Sequence, residues 1–337
     1  MPLTEVHILL SYRCTDACRH CFVFSGPHQL ATFSFSRLEG VLDQLRRVPS
    51  VRWVYFEGGE PFLYYPMLLE AVRYATDRGL ATAAVTNGYW ITSDRDLRYY
   101  LRPLVANGLK KLQISVDPLH RYRRLEHLKP QLLDVGRRFR LTTQLLGVET
   151  KEPNEEPLLA RDGQTITEGE IAFRGRAVTH LAPDHAAWAW DSFDECPHER
   201  LEDPLRVHVD PHGYVHLCQG TLLGNLDGEP LDVLLEEYNP QNHPVVGPLL
   251  RGGPAGLVQE HDLDHEEGYA DACHLCFEAR KQLLERYPDV LGPPSVYGLR
   301  EPKRRRSSQV QSGVPESGSA EEREADAEGE TEQPPES

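Results

Sequence analysis

Through the first 150 residues, short apolar runs alternate with amphipathic stretches, and this alternation constrains the fold more than any other feature of the chain. Val6–Leu10 is continuously apolar and reads as a strand. Ser34–Arg47 opens on a serine and repeats Leu38, Val41, Leu42 and Leu45 at helical spacing. A strand at Val51–Phe56, a helix near Pro66–Arg78, a strand at Ala81–Val85, a helix near Ser93–Ala106 and a strand at Lys111–Val116 follow. A helix over 127–138 and a strand near Leu141–Val148 complete the series. Gly79 and Asn107-Gly108 stand where helices should stop. Strands alternating with helices at this spacing require βαβ units and a parallel sheet.

In such folds, sites form beyond the carboxyl ends of the strands. The segment after the first strand, SYRCTDACRHCFVF, carries Cys14-x3-Cys18-x2-Cys21. FEGGEPF follows the second strand, TNG the third, and SVD ends the fourth, so four marked segments converge on one face. A structural zinc closes its shell with four ligands, and an odd number of cysteines suits no disulfide framework. Three thiolates can instead hold three irons of a four-iron cluster and leave the fourth iron open to an exogenous ligand.

The 337 residues, 39% hydrophobic, suffice for one large domain or a large and a small one. No run of about 18 apolar residues predicts a membrane span, and MPLTEVHILL lacks the pattern of a secretory signal. Seven clustered cysteines read as metal ligands in a reducing cytosol. The net charge is −16, but from Ser307 onward nine Glu/Asp face one Arg, so this tail alone carries −8. The rest is mildly acidic, which argues against nucleic acid as a partner. The tail is nearly free of large apolar residues and is expected to be disordered, with Lys303–Arg306 a solvated charge run beside it.

The cysteine triplet after a first strand and Gly58-Gly59-Glu60-Pro61 after a second resemble the radical S-adenosylmethionine (SAM) superfamily over at least the first 150 residues. The resemblance implies a partial (β/α)6 barrel. It implies that Cys14, Cys18 and Cys21 ligate a reductive [4Fe-4S] cluster whose open iron chelates S-adenosyl-L-methionine. Reductive cleavage of that sulfonium then gives a 5′-deoxyadenosyl radical that abstracts a substrate hydrogen. Gly58, Gly59, Glu60, Asn87, Ser115 and Asp117 would bind this cofactor. Family members often carry an aromatic before the third cysteine; here His20 stands there and Phe22 follows. A ferredoxin- or flavodoxin-type electron donor is also implied.

Beyond residue 150 the periodic segments shorten, and Cys196, Cys218, Cys273 and Cys276 make a second set. Leu205–Leu217 alternates around Pro-His-Gly and reads as a hairpin, and Phe277–Tyr287 as a short helix. By spacing alone, the four cysteines suit zinc or a second cluster. Behind a radical SAM core, Cys196, Gly213-x4-Cys218 and Cys273-x2-Cys276 resemble the twitch domain, a shortened SPASM domain with one auxiliary [4Fe-4S] cluster. Four thiolates leave no open iron, which favours electron transfer. Phe173–Ala177 (FRGRA) resembles a segment that often leads into such domains, its arginines facing substrate or bridging domains. His208, His212 and His216 read as solvated strand positions rather than donors to that cluster.

The expected organisation is a radical SAM core over 1–185, a small α+β twitch/SPASM-like domain over 186–300 and a disordered acidic tail over 301–337. The expected protein is a cytoplasmic oxidoreductase or peptide-modifying enzyme, with no nucleic-acid or membrane partner. Its substrate is expected to be a ribosomal peptide that is crosslinked, epimerised or oxidised. The alternatives are a small-molecule dehydrogenase of aminocyclitol-type alcohols and a non-catalytic metal-binding scaffold. The sequence names no acid or base.

Overall fold

The computed structural model describes residues 3–300 except 118, 123, 149–164 and 170. The expected tail and the Lys303–Arg306 run lie outside the described residues. Strands β1 (Glu5–Ser11), β2 (Trp53–Gly58), β3 (Ala81–Thr86), β4 (Leu109–Ser115), β5 (Thr142–Val148) and β6 (Thr165–Gly169) lie side by side in chain order. Every neighbouring pair among them is parallel. Helices α1 (Phe35–Gln44), α2 (Tyr65–Thr76) and α3 (Asp94–Ala106) connect the first four strands, and α4 (Arg124–His127) with α5 (Lys129–Phe139) lies before β5. This is the open (β/α)6 connectivity expected.

Local chemistry explains the boundaries. The Ser34 hydroxyl accepts from Arg37 N at 3.3 Å and starts α1, while Ser93 accepts from Asp96 N at 3.1 Å and starts α3. Leu38, Val41 and Leu42 then bury one face of α1 against the sheet. The helix expected over 127–138 is α5, and a separate short α4 precedes it, with Pro130 in the first turn of α5. A proline has no N–H to extend a preceding helix, so the earlier one ends before it. Strand β6 went unread: TITEG is too short to show a period and is extended only by its ladder to β5.

The first strand's other edge is also occupied. After α6 (Arg176–His180) and the short β7 (Trp188–Ala189), strand β8 (Arg206–Val209) pairs parallel with β1. Strands β9 (Tyr214–Cys218) and β10 (Thr221–Asn225) extend that edge antiparallel. Among the described residues, nine strands thus form one sheet in the order β10-β9-β8-β1-β2-β3-β4-β5-β6. The hairpin turn is held by Asp210, whose Oδ1 accepts from His212 N (2.9 Å) and Tyr214 N (3.0 Å). Helices α7 (Leu231–Glu237) and α8 (Val246–His261), strand β11 (Gly268–Tyr269, paired with β7) and α9 (Ala272–Leu283) complete the described chain. Helix α9 begins five residues earlier than expected. Asp271 caps it by accepting from His274 N at 2.7 Å, so Cys273 and Cys276 ride on its first turns rather than preceding it.

Candidate metal and cofactor site

The loop after β1 and the turn after β2 are joined backbone to backbone. Gly59 N donates to Ser11 O (2.6 Å) and Glu60 N to Arg13 O (2.9 Å). A Cβ on Gly59 would overlap the Arg13 carbonyl. The glycine is therefore required by the approach of the cysteine loop itself. Within that loop, Cys14 N donates to Gly26 O at 3.1 Å and Ser25 N to the Cys21 sulfur at 3.3 Å. Burial pushes the Cys14 thiol up to about 12 and raises Cys18 too, with Glu60, Asp16 and the neighbouring thiols adding to it. A metal that binds here displaces protons from buried sulfur.

Cys14, Cys18 and Cys21 face a cavity of about 340 Å3, together with Gly58, Gly59, Asn87, Ser115 and Asp117. That is within the size range of small-molecule sites. Glu60, the remaining expected cofactor residue, stands behind the wall. It is fully buried, and its carboxylate accepts from Phe62 N (3.0 Å), Thr86 Oγ1 (2.8 Å) and Asn87 N (2.8 Å). Burial pushes it up to about 7, against the three donors that favour the anion. Asn87 in turn donates Nδ2 to Thr15 Oγ1 (3.0 Å) and to the Cys14 sulfur (3.4 Å). Glu60 thus braces the second and third turns, and Asn87 hands that brace to the first cysteine.

Asp117 is buried, and its Oδ2 lies 2.9 Å from His120 Nδ1. Burial alone would raise its carboxyl, but the His120 bond and charge hold it below the usual range. His20 packs edge-on against His120 at 4.7 Å, and burial pushes His20 down to about 4. His20, Asp117 and His120 therefore form one cluster on the cavity rim. Sequence reasoning missed His120; the available signal was its place three residues after Asp117, where Asp117 Oδ1 caps the turn by accepting from Leu119 N (2.9 Å) and His120 N.

A second unforeseen cluster lies on β1, β2 and β8. His7 Nδ1 is 3.0 Å from Glu57 Oε2, and His208 Nε2 is 3.4 Å from Glu57 Oε1. His7 stacks on Tyr55 at 4.3 Å. Glu57 lines the cavity and the two histidines stand behind it. Burial pushes both rings down; the Glu57 carboxylate lifts His7 to about 9, while His208 stays well below the ordinary range. The expectation that His208 and His216 are solvated strand positions is corrected: both are buried. His216 lies between Gly220 N and Asp210.

The second cysteine set is gathered from three elements: Cys196 before β8, Cys218 at the end of β9, and Cys273 and Cys276 on α9. Burial raises Cys196, Cys273 and Cys276, and each is raised further by Cys218, as neighbouring thiolates would be. An all-sulfur, largely buried donor set fits either zinc or an iron–sulfur cluster. The FRGRA segment touches both sets. Phe173 N donates to Asp271 Oδ2 (3.0 Å), the cap of α9, and Arg174 Nη1 to the Cys218 sulfur (3.4 Å). Arg176 N donates to Cys21 O (2.9 Å), and its guanidinium to the carbonyls of Cys18 (2.9 Å) and Ser25.

A three-cysteine loop joined to a glycine turn thus stands at the carboxyl end of this parallel sheet. Residues 8–135 match the Radical SAM superfamily model. That family implies a [4Fe-4S] cluster and SAM. The chain is 25% identical over 115 residues to the putative peptide biosynthesis protein YydG of Bacillus subtilis, covering 34% of this chain and 36% of that one. It is 36% identical over 119 residues to the PqqA peptide cyclase of Rhodopseudomonas palustris, covering 34% and 29%. The chain thus spans about a third of the length of these curated relatives. Among solved structures it is similar to BtrN in complex with AdoMet and 2-DOIA (TM-score 0.48, 14% identity, 75% of this chain and 89% of that one). It is also similar to Streptococcus suis SuiB bound to precursor peptide SuiA (TM-score 0.43, 14% identity, 80% and 75%). Among the described residues no helix is long and apolar enough to cross a membrane.

Proposed function

We propose that this chain is a radical SAM enzyme that modifies a peptide. Cys14, Cys18 and Cys21 would hold the reductive [4Fe-4S] cluster, and Cys196, Cys218, Cys273 and Cys276 an auxiliary one, in a twitch-like region over 186–300. With SAM, a cluster held by Cys14, Cys18 and Cys21 would supply radical chemistry for removing a hydrogen atom from substrate. The chain's own part is positional. The Gly59 and Glu60 amides fix the cysteine loop, Asn87 contacts Cys14, and Ser115 and Asp117 offer polar contacts to SAM across the cavity. The observation that carries this reading is the joining of the three-cysteine loop to the glycine turn on the wall of one cavity. The peptide substrate is supported by the names of the matched relatives, a peptide biosynthesis protein and a peptide cyclase.

The test is anaerobic reconstitution with iron, sulfide, SAM and a reductant. We expect 5′-deoxyadenosine from the wild type and none from a variant with Cys14, Cys18 and Cys21 all changed to Ala. Cleavage by that triple variant would place the reductive cluster elsewhere.

A further inference from the structure

Two guanidinium groups lie against the four-cysteine set, and among the described residues only one of them has a carboxylate partner. Arg280 lies one turn after Cys276 on α9 and is 2% exposed. Its Nη1 donates to Gln219 O (2.6 Å) and Thr221 Oγ1 (2.9 Å), and its Nε to Cys276 O (3.2 Å). Among the described residues no carboxylate pairs with it. Arg174 reaches in from the FRGRA segment, 3.4 Å from the Cys218 sulfur and 3.6 Å from Glu199 Oε1. Glu199 is shared, because Arg206 Nη2 lies 3.1 Å from both of its oxygens. One carboxylate thus faces two guanidiniums.

A buried cation without a counter-charge is costly, so something anionic belongs beside Arg280. Four thiolates around a metal centre supply that charge. The first cysteine set is surrounded differently. Glu60, Cys21 and Asp16 act on Cys14, and the guanidinium beside that loop, Arg176, donates to the carbonyls of Cys18 and Ser25, whereas Arg174 donates to a ligand sulfur of the second set.

We propose that Arg174 and Arg280 tune the four-cysteine site so that a cluster held there takes up an electron more readily than one held by Cys14, Cys18 and Cys21. This rests on the reading that the four-cysteine site holds an iron–sulfur cluster. Taking up one electron makes that cluster more negative by one charge, and a guanidinium at hydrogen-bond distance from a ligand sulfur favours the more negative state. Arg174 acts through Cys218 and is a positioning and potential-setting residue.

The test is a redox titration of the full, reconstituted chain with dithionite, followed by electron paramagnetic resonance, after iron, sulfide and zinc analysis. Arg174→Gln is expected to shift the auxiliary cluster's reduced-to-oxidised ratio about tenfold toward oxidised, which is about 59 mV for one electron. Arg174→Lys should restore most of the shift, and the three-cysteine cluster should not move. Glu199→Gln should move the auxiliary cluster the other way, because it removes the carboxylate that opposes Arg174. Damaged packing does not produce that sign, so Glu199→Gln decides the matter if Arg174→Gln fails to hold its cluster. Two full clusters whose ratios stay within threefold of wild type in both variants would overturn the proposal. Iron for one cluster only, or zinc in the second site, would sink the reading beneath it, and the metal analysis shows that before any titration.

Discussion

Replacing Glu60 by Gln tests whether the site is assembled around one buried carboxylate. The change keeps shape and volume and removes only acceptor capacity. Glu60 Oε1 accepts from Phe62 N and Thr86 Oγ1, and Oε2 from Asn87 N. A glutamine has one acceptor oxygen and one donor group. With its oxygen in the Oε1 position, its NH2 faces Asn87 N, donor against donor. With the amide turned over, the NH2 meets Phe62 N and a Thr86 hydroxyl that already accepts from Gly88 N (3.0 Å) and Trp90 Nε1 (3.1 Å). The first arrangement is the cheaper, and it leaves one buried backbone N–H without a partner at a cost of about 1–3 kcal/mol.

For a unit of this size each kcal/mol lowers the melting temperature by about 2 °C, so Glu60→Gln should lose about 2–6 °C. The assay is thermal denaturation of the metal-free protein by circular dichroism. Glu70→Gln on the exposed face of α2 is the control and should stay within about 0.5 kcal/mol of wild type. Because Asn87 N is the orphaned group and Asn87 Nδ2 touches Cys14, iron loading at the first site should fall with the melting point. A Glu60→Gln melting temperature equal to that of the control would refute the brace.

Two further outcomes follow from the same geometry. His7 is lifted from 6.5 to about 9 by Glu57, so its contribution is complete below pH 6.5 and is lost as pH rises through 9, about 3 kcal/mol in all; urea titrations should show His7→Gln flattening the stability curve across that window, and an unchanged curve would discredit the ion pair. A Cβ on Gly175 would lie 2.5 Å from Cys21 O at a φ of +61°, so Gly175→Ala should depress iron content at both cysteine sets by metal analysis, whereas loss at one set alone would show that the segment does not couple them.

The parallel sheet was legible because its strands carry continuous apolar runs and its helices carry caps, both local signals. The positions of the cysteines relative to those strands were legible for the same reason. What the sequence hid was set by contacts between distant segments. Strand β8 joins β1 across 200 residues, and nothing in RVHV announces that partner. Glu60 read as a cofactor residue because it sits in the glycine motif, yet its acceptors are consumed by Phe62, Thr86 and Asn87. His7, Glu57 and His208 come from three strands and share no spacing, so only the ladder register brings them together. Helix α9 starts ahead of the last two cysteines because Asp271 caps it there, a local signal that Cys273-x2-Cys276 overshadows.

The FRGRA segment shows why two cysteine sets so far apart in sequence need not be independent. Successive residues reach in turn for the α9 cap, Cys218, the backbone at Cys21 and the carbonyl of Cys18. Its backbone cannot shift toward one set without drawing on the other, since Arg174 and Arg176 are separated by a single residue. The two arginines divide the labour along the same few atoms. Arg176 donates to the carbonyls of Cys18 and Ser25 and so ties the first loop through its backbone, whereas Arg174 donates to the Cys218 sulfur. A segment that merely linked two domains would need neither arginine at a cysteine. One that ties two cysteine sets together has a use for both.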